Sequence, residues 1–198
     1  MRLCFASNNA HKLDEIRPLL PAHVELLSLA DIGCEEELPE TQDTLEGNAL
    51  QKAHYVWGNY GVPCFADDTG LEVNALDGAP GVYSARYAGP QRSSADNVQK
   101  LLRELPADAD RTARFRTVIA LVVGPSEDDE FTFSGEVMGR ITAKERGAAG
   151  FGYDPIFEPE DLERTFAEMS GEEKNQLSHR ARAVAQLTSF LKERYSVE

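Results

Sequence analysis

Residues 112–123, TARFRTVIALVV, and residues 131–141, FTFSGEVMGRI, decide the fold. In the first, Phe115, Thr117, Ile119 and Leu121 alternate with Arg114, Arg116, Val118 and Ala120, the period of two that marks a strand. The second follows a short acidic turn, GPSEDDE (124–130), and reads as its antiparallel neighbour. Towards the N-terminus, residues 2–6 read as a buried strand and His11 to Leu20 as a helix that Pro18 keeps short. Val24 to Leu29 is a further short strand. Thr44 is placed to cap a helix from Leu45 to Asn59, with Leu45, Ala49, Ala53, Val56 and Trp57 as its apolar stripe. Pro63 to Asp67 and Leu71 to Ala75 read as two strand pieces separated by Thr69-Gly70. Around the hairpin, Ser93 and Asp96 open a helix that runs through Leu105 and is closed by Pro106, and Pro155 to Phe157 reads as a short strand. Ser170 and Glu173 form a second capping box, and Ala181 to Tyr195 carries Val184, Leu187, Phe190 and Leu191 at helical spacing. Early βαβ pieces, a central hairpin and flanking helices predict an α/β fold on a mixed sheet rather than a parallel one. A second lobe at about residues 71–145 is compatible with this order, although composition marks no boundary.

The chain has 198 residues, 41% of them hydrophobic and 27% charged, enough to bury a core as one domain or two joined lobes. Twenty Lys and Arg against 34 Asp and Glu leave a net charge of -14. That field repels nucleic acid backbones and anionic membranes, so neither is an expected partner. A small anionic ligand is compatible with it only where cations, backbone N–H groups or a divalent metal reverse the sign locally. Cys4, Cys34 and Cys64 fit neither a zinc site nor a disulfide framework, and buried reduced thiols are expected. The apolar stretch before Asn8 and Asn9 is too short for the core of a signal peptide, and no stretch is long enough to span a bilayer, so a cytoplasmic location is expected.

Five constellations carry polar chemistry. SNNAHK (7–12) sits at a strand-to-helix junction, where small polar residues and Lys12 suit either an anion or an ordinary capping loop. FADDTG (65–70) puts two acids at a strand end, a common way to hold a divalent metal or a catalytic base, and equally compatible with two acids that cap turns. Adjacent residues of a strand face opposite ways, so one aspartate is expected to meet a ligand while the other braces the loop. Glu40 and Lys52 flank a loop and helix with Asn48 between them, offering a carboxylate for Mg²⁺ and a cation for phosphate, or simply a solvated acidic run. In GFGYDP (150–155), glycines accompany Phe151 and Tyr153, either of which could stack on a base, or the segment is a Gly-rich turn with one packing aromatic. Lys174 with SHR (178–180) offers donors suited to a keto oxygen or phosphate.

Taken in order, SNNAHK, PETQDTLEGNALQKA, FADDTGLEVNALDGAPGVYSARYAG, RFRTVIALV, GAAGFGYDPIF and MSGEEKNQLSHRARA closely resemble the inosine-triphosphate pyrophosphatase (XTP/dITP diphosphatase) family, from about residue 3 to residue 190. The resemblance implies an elongated mixed β-sheet flanked by helices, in two lobes with the active-site cleft between them, over one nucleotide pyrophosphatase domain. It implies Mg²⁺-dependent hydrolysis of ITP, dITP and XTP to the monophosphate and pyrophosphate by a cytosolic homodimer, which removes deaminated purines from the nucleotide pool. Carried over position by position, Asp68 is the general base and, with Glu40, a metal ligand. Ser7, Asn8, Asn9, Ala10, His11 and Lys12 form the phosphate loop, and Lys52 and Thr69 assist with the triphosphate. Phe151, Gly152, Tyr153, Asp154, Lys174, His179 and Arg180 form the nucleotide and base-recognition set.

Two positions depart from the family pattern. Ser7-Asn8-Asn9 stands where Thr-Gly-Asn is common, and Gly47-Asn48-Ala49 where Glu-Asn-Ala is usual, which removes one acid. Two other readings are compatible with the same residues: a related pyrophosphatase for other modified nucleotides, which a panel of triphosphates separates, and a nucleotide-binding module without turnover. Intact Lys12, Glu40, Lys52 and Asp68 argue against the latter.

Overall fold

The computed structural model of the protein describes residues 1–195. The strands are β1 (Arg2–Phe5), β2 (Glu25–Leu27), β3 (Cys64–Val73), β4 (Pro80–Gly81), β5 (Thr112–Val122), β6 (Glu130–Ile141) and β7 (Phe157–Pro159). The α-helices are α1 (Ala10–Ile16), α2 (Leu45–Tyr60), α3 (Ser94–Glu104), α4 (Gly171–Asn175) and α5 (His179–Tyr195). One sheet runs β2-β1-β3-β5-β6-β7, with β4 paired to β3. β1 is parallel to β2 and β3, with Leu3 opposite Leu26 and Cys4 opposite Cys64. β4 on β3 and β7 on β6 are antiparallel. The sheet is therefore mixed, as the hairpin and the early βαβ pieces predict.

The chain divides into two compact units. Among the described residues, the first comprises Met1–Asp68, Thr117–Gly135 and residues 180–195; the second comprises Thr69–Arg116 and Glu136–His179. In the first, Leu3, Phe5, Phe65, Ile119 and Leu121 pack on Ile16 of α1 and on Ala183, Val184, Leu187 and Leu191 of α5. Phe5 and Phe65 stack with ring centroids 4.9 Å apart. In the second, Phe115, Leu101, Val137, Ile156, Phe157 and Phe166 form the core.

β5 explains its own pattern. From Val118 to Val122 every residue is buried, as expected of a strand covered on both faces. Before that the strand alternates, and Arg114 and Arg116 turn outward to pair with Glu72 of β3 at 2.5 and 3.5 Å.

Four local expectations are corrected. Cys64–Val73 is one continuous strand rather than two pieces. Gly70 does not break it: a Cβ there would lie 2.7 Å from the carbonyl oxygen of Gly81, so the glycine serves the close approach of β4. Pro155 lies in a 3₁₀ turn, Asp154–Ile156, which suits its fixed φ, and β7 begins only at Phe157. α1 ends at Ile16, and Arg17–Leu19, containing Pro18, continues as a 3₁₀ turn. α5 begins at His179 rather than Ala181, which brings His179 and Arg180 into its first turn. The three cysteines are free and buried, and burial pushes the Cys4 and Cys64 thiols up to about 12. Among the described residues no helix is long and apolar enough to cross a membrane.

Candidate active site

In the first unit the site grows from the acidic part of β3. Asp67 and Asp68 follow three buried apolar residues, Cys64 to Ala66, and their side chains take different partners. Asp67 is fully buried, with Lys12 Nζ donating to Oδ1 at 2.8 Å and Arg180 Nε to Oδ2 at 3.2 Å. Arg180 also donates to Glu15 of α1 through Nη1. Burial alone would raise the Asp67 pKa, but Lys12, Arg180 and Lys52 together hold it well below the usual carboxylate range.

Asp68 has the opposite balance. Burial raises its pKa above the ordinary value and Glu40 adds to this, against the pull of Lys52, Lys12 and a hydrogen bond from Asn48. Asn48 Nδ2 donates to Asp68 Oδ2 at 3.1 Å, while Lys52 Nζ stands 3.9 Å from Oδ1. The same ammonium donates to Glu40 Oε1 and to the Asp67 backbone oxygen, each at 2.7 Å. Burial pulls the Lys52 pKa down, yet Asp68, Glu40 and Asp67 raise it above normal, so Lys52 stays charged. A carboxylate of raised basicity beside a fixed cation is equipped to take a proton from water next to an anion.

The segment 7–12 begins just after β1. Ser7 Oγ accepts from Asn9 N–H at 3.2 Å. Asn9 caps α1, its Oδ1 accepting from the N–H groups of His11 and Lys12 at 3.1 and 3.4 Å. Asn8, Ala10 and His11 are exposed, whereas the Lys12 side chain is drawn in towards Asp67. The structure thus links Lys12, Glu40, Lys52, Asp68 and Arg180 in one polar network of the first unit, to which Ser7–His11 contribute a surface turn.

Gly47, one of the departures from the family pattern, has a steric reason. A Cβ at that position would lie 2.8 Å from the Gln42 Cβ and 3.0 Å from Thr44 Oγ1, so glycine lets the acidic loop lie close against α2.

In the second unit Asp154 organises the glycine-rich turn. Its Oδ2 accepts from Phe151 N–H at 2.9 Å and from Lys174 Nζ at 2.7 Å. Gly150 adopts φ +73°, and a Cβ on it would collide with that same oxygen. Lys174 Nζ lies 4.9 Å from the Phe151 ring centroid. Tyr153 is buried, its hydroxyl donating to the Ser84 carbonyl at 2.7 Å, so Phe151 is the aromatic of this turn that keeps partial exposure. His179 stacks on Phe115 at 4.6 Å with planes 13° apart. Gly152 and half-buried Thr69 also belong to this unit.

Glu15 also belongs to this network, although nothing in the sequence marks it. It lies three residues after Lys12 on α1, but its partner Arg180 is 165 positions away, a pairing without local signal.

Residues 3–190 match the Ham1 family, and the chain belongs to it. It is 56% identical over 191 residues to the dITP/XTP pyrophosphatase of Porphyromonas gingivalis, covering 96% of this chain and 97% of that one. It is 53% identical to the dITP/XTP pyrophosphatase of Flavobacterium johnsoniae, covering 96% and 98%. Among solved structures, a HAM1 protein from Coxiella burnetii superimposes with a TM-score of 0.89 at 39% identity, covering 98% of this chain and 99% of that one.

Proposed function

We propose that this chain is a nucleoside triphosphate pyrophosphatase that hydrolyses ITP, dITP and XTP to the monophosphate and pyrophosphate. The observation that carries the chemistry is Asp68, a buried carboxylate whose Oδ1 faces Lys52 while Asn48 holds its Oδ2. Asp68 takes a proton from water as the water oxygen bonds to the α-phosphorus. The bond from that phosphorus to the bridging oxygen breaks, and the electron pair leaves with pyrophosphate. Lys12 and Lys52 bring cations to the site of a strongly acidic protein, each beside a carboxylate, Asp67 and Glu40, so a bound divalent metal would supply the further positive charge that a triphosphate needs. Ser7–His11 and Thr69 contact phosphate oxygens in this reading.

The donor set fits Mg²⁺. Among the described residues no group of three or more His, Cys, Asp or Glu could hold a metal, but Mg²⁺ commonly uses one or two carboxylates and completes its shell with water and substrate phosphates. Glu40 and Asp68, which converge on the Lys52 ammonium, would hold it. When bound, Mg²⁺ supplies neutralisation of charge on the leaving pyrophosphate.

Recognition of the nucleoside falls to Phe151–Asp154, Lys174, His179 and Arg180. Hypoxanthine and xanthine carry an acceptor at C6 where adenine carries a donor, so a donor-lined site disfavours ATP. Phe151→Ala should raise the KM for ITP roughly tenfold, since stacking on a base contributes about 1–3 kcal/mol. An unchanged KM would remove Phe151 from base contact. The family resemblance also supports a cytoplasmic homodimer, which light scattering of the purified chain checks.

The deciding experiment is product analysis with ITP, XTP, ATP and GTP, each with Mg²⁺ and with the metal chelated. Pyrophosphate should be released from ITP and XTP only with Mg²⁺, with kcat/KM for ITP at least about 10²-fold above ATP. Release of orthophosphate, or equal turnover of ATP, would overturn the proposal.

A further inference from the structure

α2 grips the acidic loop that carries Glu40 along one face. Asn48, Gln51, Lys52 and Tyr55 are spaced i, i+3, i+4 and i+7, so they share a side of the helix. Their partners run back along the loop in reverse order. Asn48 Oδ1 accepts from Gln42 N–H at 2.9 Å. Gln51 Oε1 accepts from Thr41 N–H at 2.9 Å, and Gln51 Nε2 donates to Thr41 Oγ1 at 2.8 Å. Lys52 holds Glu40, and Tyr55 donates to Glu36 Oε1 at 3.1 Å, an oxygen that also accepts from Tyr60 at 2.6 Å.

The loop has no helix or strand of its own between Gly33 and Thr44, so its path is set by what it docks on. The carboxamide of Gln51 fixes both the backbone N–H and the side chain of one loop residue, and that residue adjoins Glu40. Gly47 removes the side chain that would otherwise push Gln42 away. We infer that Gln51 is a positioning residue, which through its paired bonds to Thr41 holds the Glu40 carboxylate at the place where it serves the metal. This rests on the proposed reading of Glu40 as a Mg²⁺ ligand. Gln51 touches neither Asp68 nor the network around Asp67 in the bonds described above, so its loss should act on metal use and leave the chemical step intact.

The test compares wild type with Gln51→Ala, Gln51→Glu and Glu40→Gln. Enzyme-bound Mn²⁺ is titrated by electron paramagnetic resonance in the presence of the α,β-methylene analogue of ITP. The Mg²⁺ dependence of ITP hydrolysis is measured in parallel. Gln51→Ala should weaken Mn²⁺ binding and raise the half-saturating Mg²⁺ concentration about tenfold, the scale of losing an outer partner of a metal ligand, with kcat at saturating Mg²⁺ within about twofold of wild type. Gln51→Glu should recover most of the affinity, because its carboxylate accepts from both the Thr41 N–H and a reoriented Thr41 hydroxyl. If Glu40→Gln weakens binding while Gln51→Ala does not, or if Gln51→Glu is as weak as Gln51→Ala, the positioning role is overturned and the ligand assignment stands. If Glu40→Gln binds Mn²⁺ as wild type does, the ligand assignment itself falls and the positioning role with it.

Discussion

Asp68→Asn should lower kcat/KM for ITP by about 10²–10⁴-fold, the contribution expected of a positioned general base, without lowering the melting temperature. The substitution is close to isosteric and leaves Lys52 its bonds to Glu40 and to the Asp67 carbonyl. An oxygen remains to accept from Asn48. Burial is the leading reason that the Asp68 pKa is raised, so the ionised form is disfavoured by folding. The sign follows by linkage: the charge lowers stability increasingly as pH rises through the unfolded pKa, and the full penalty applies above the folded one. Removing the charge at neutral pH therefore relieves a strain that the proposed activity requires, a familiar opposition of stability and function. Steady-state kinetics and a thermal melt of the same preparation test both halves. Retention of more than about a tenth of wild-type kcat/KM would exclude Asp68 as the base.

How much of this site is legible in the sequence depends on the distance over which each pairing acts. The divergence of Asp67 and Asp68 follows from strand geometry alone, and the Thr44 cap and the Ser170–Glu173 box follow from spacing of three. The pairings that define Asp67 do not, because Lys12 is 55 residues away and Arg180 is 113. Which cation reaches which carboxylate is set by how α1 and α5 pack on the sheet, and periodicity specifies a helix face but not its partner. Gly70 shows the same limit from the backbone side. Read locally, Thr69-Gly70 interrupts an apolar run; in the fold the glycine is needed because Gly81, eleven residues on, comes against it. Phe151 and Tyr153 each follow a glycine and nothing local says which is buried; the Ser84 carbonyl, 69 residues from Tyr153, draws that one inward.

Asp67→Asn should have the reverse effect of Asp68→Asn, a large loss of stability. Asp67 is the buried counter-charge for Lys12 and Arg180, at 2.8 and 3.2 Å; Arg180 lies in the interior of the first unit with it, and Lys12 is partly buried. Removing one partner of a buried ion pair strands the other, which typically costs about 3–5 kcal/mol. Glu15 keeps part of the Arg180 charge compensated, but Lys12 loses its short carboxylate contact while Lys52 and Arg180 continue to repel it. For a domain of this size each kcal/mol moves the midpoint by about 2–4 °C, so the melting temperature at pH 7 should fall by roughly 10 °C. The pH dependence separates this from simple mispacking. Folding holds the Asp67 pKa well below its unfolded value, so its stabilisation is present above the unfolded value of about 4 and is lost as pH falls towards the folded one. The difference between wild type and Asp67→Asn should thus persist from pH 7 to about pH 4 and narrow in stronger acid. Urea unfolding across that range measures it. A difference that is small at pH 7, or one that does not shrink in acid, would show that the buried charge of Asp67 is not what holds α1 and α5 to β3.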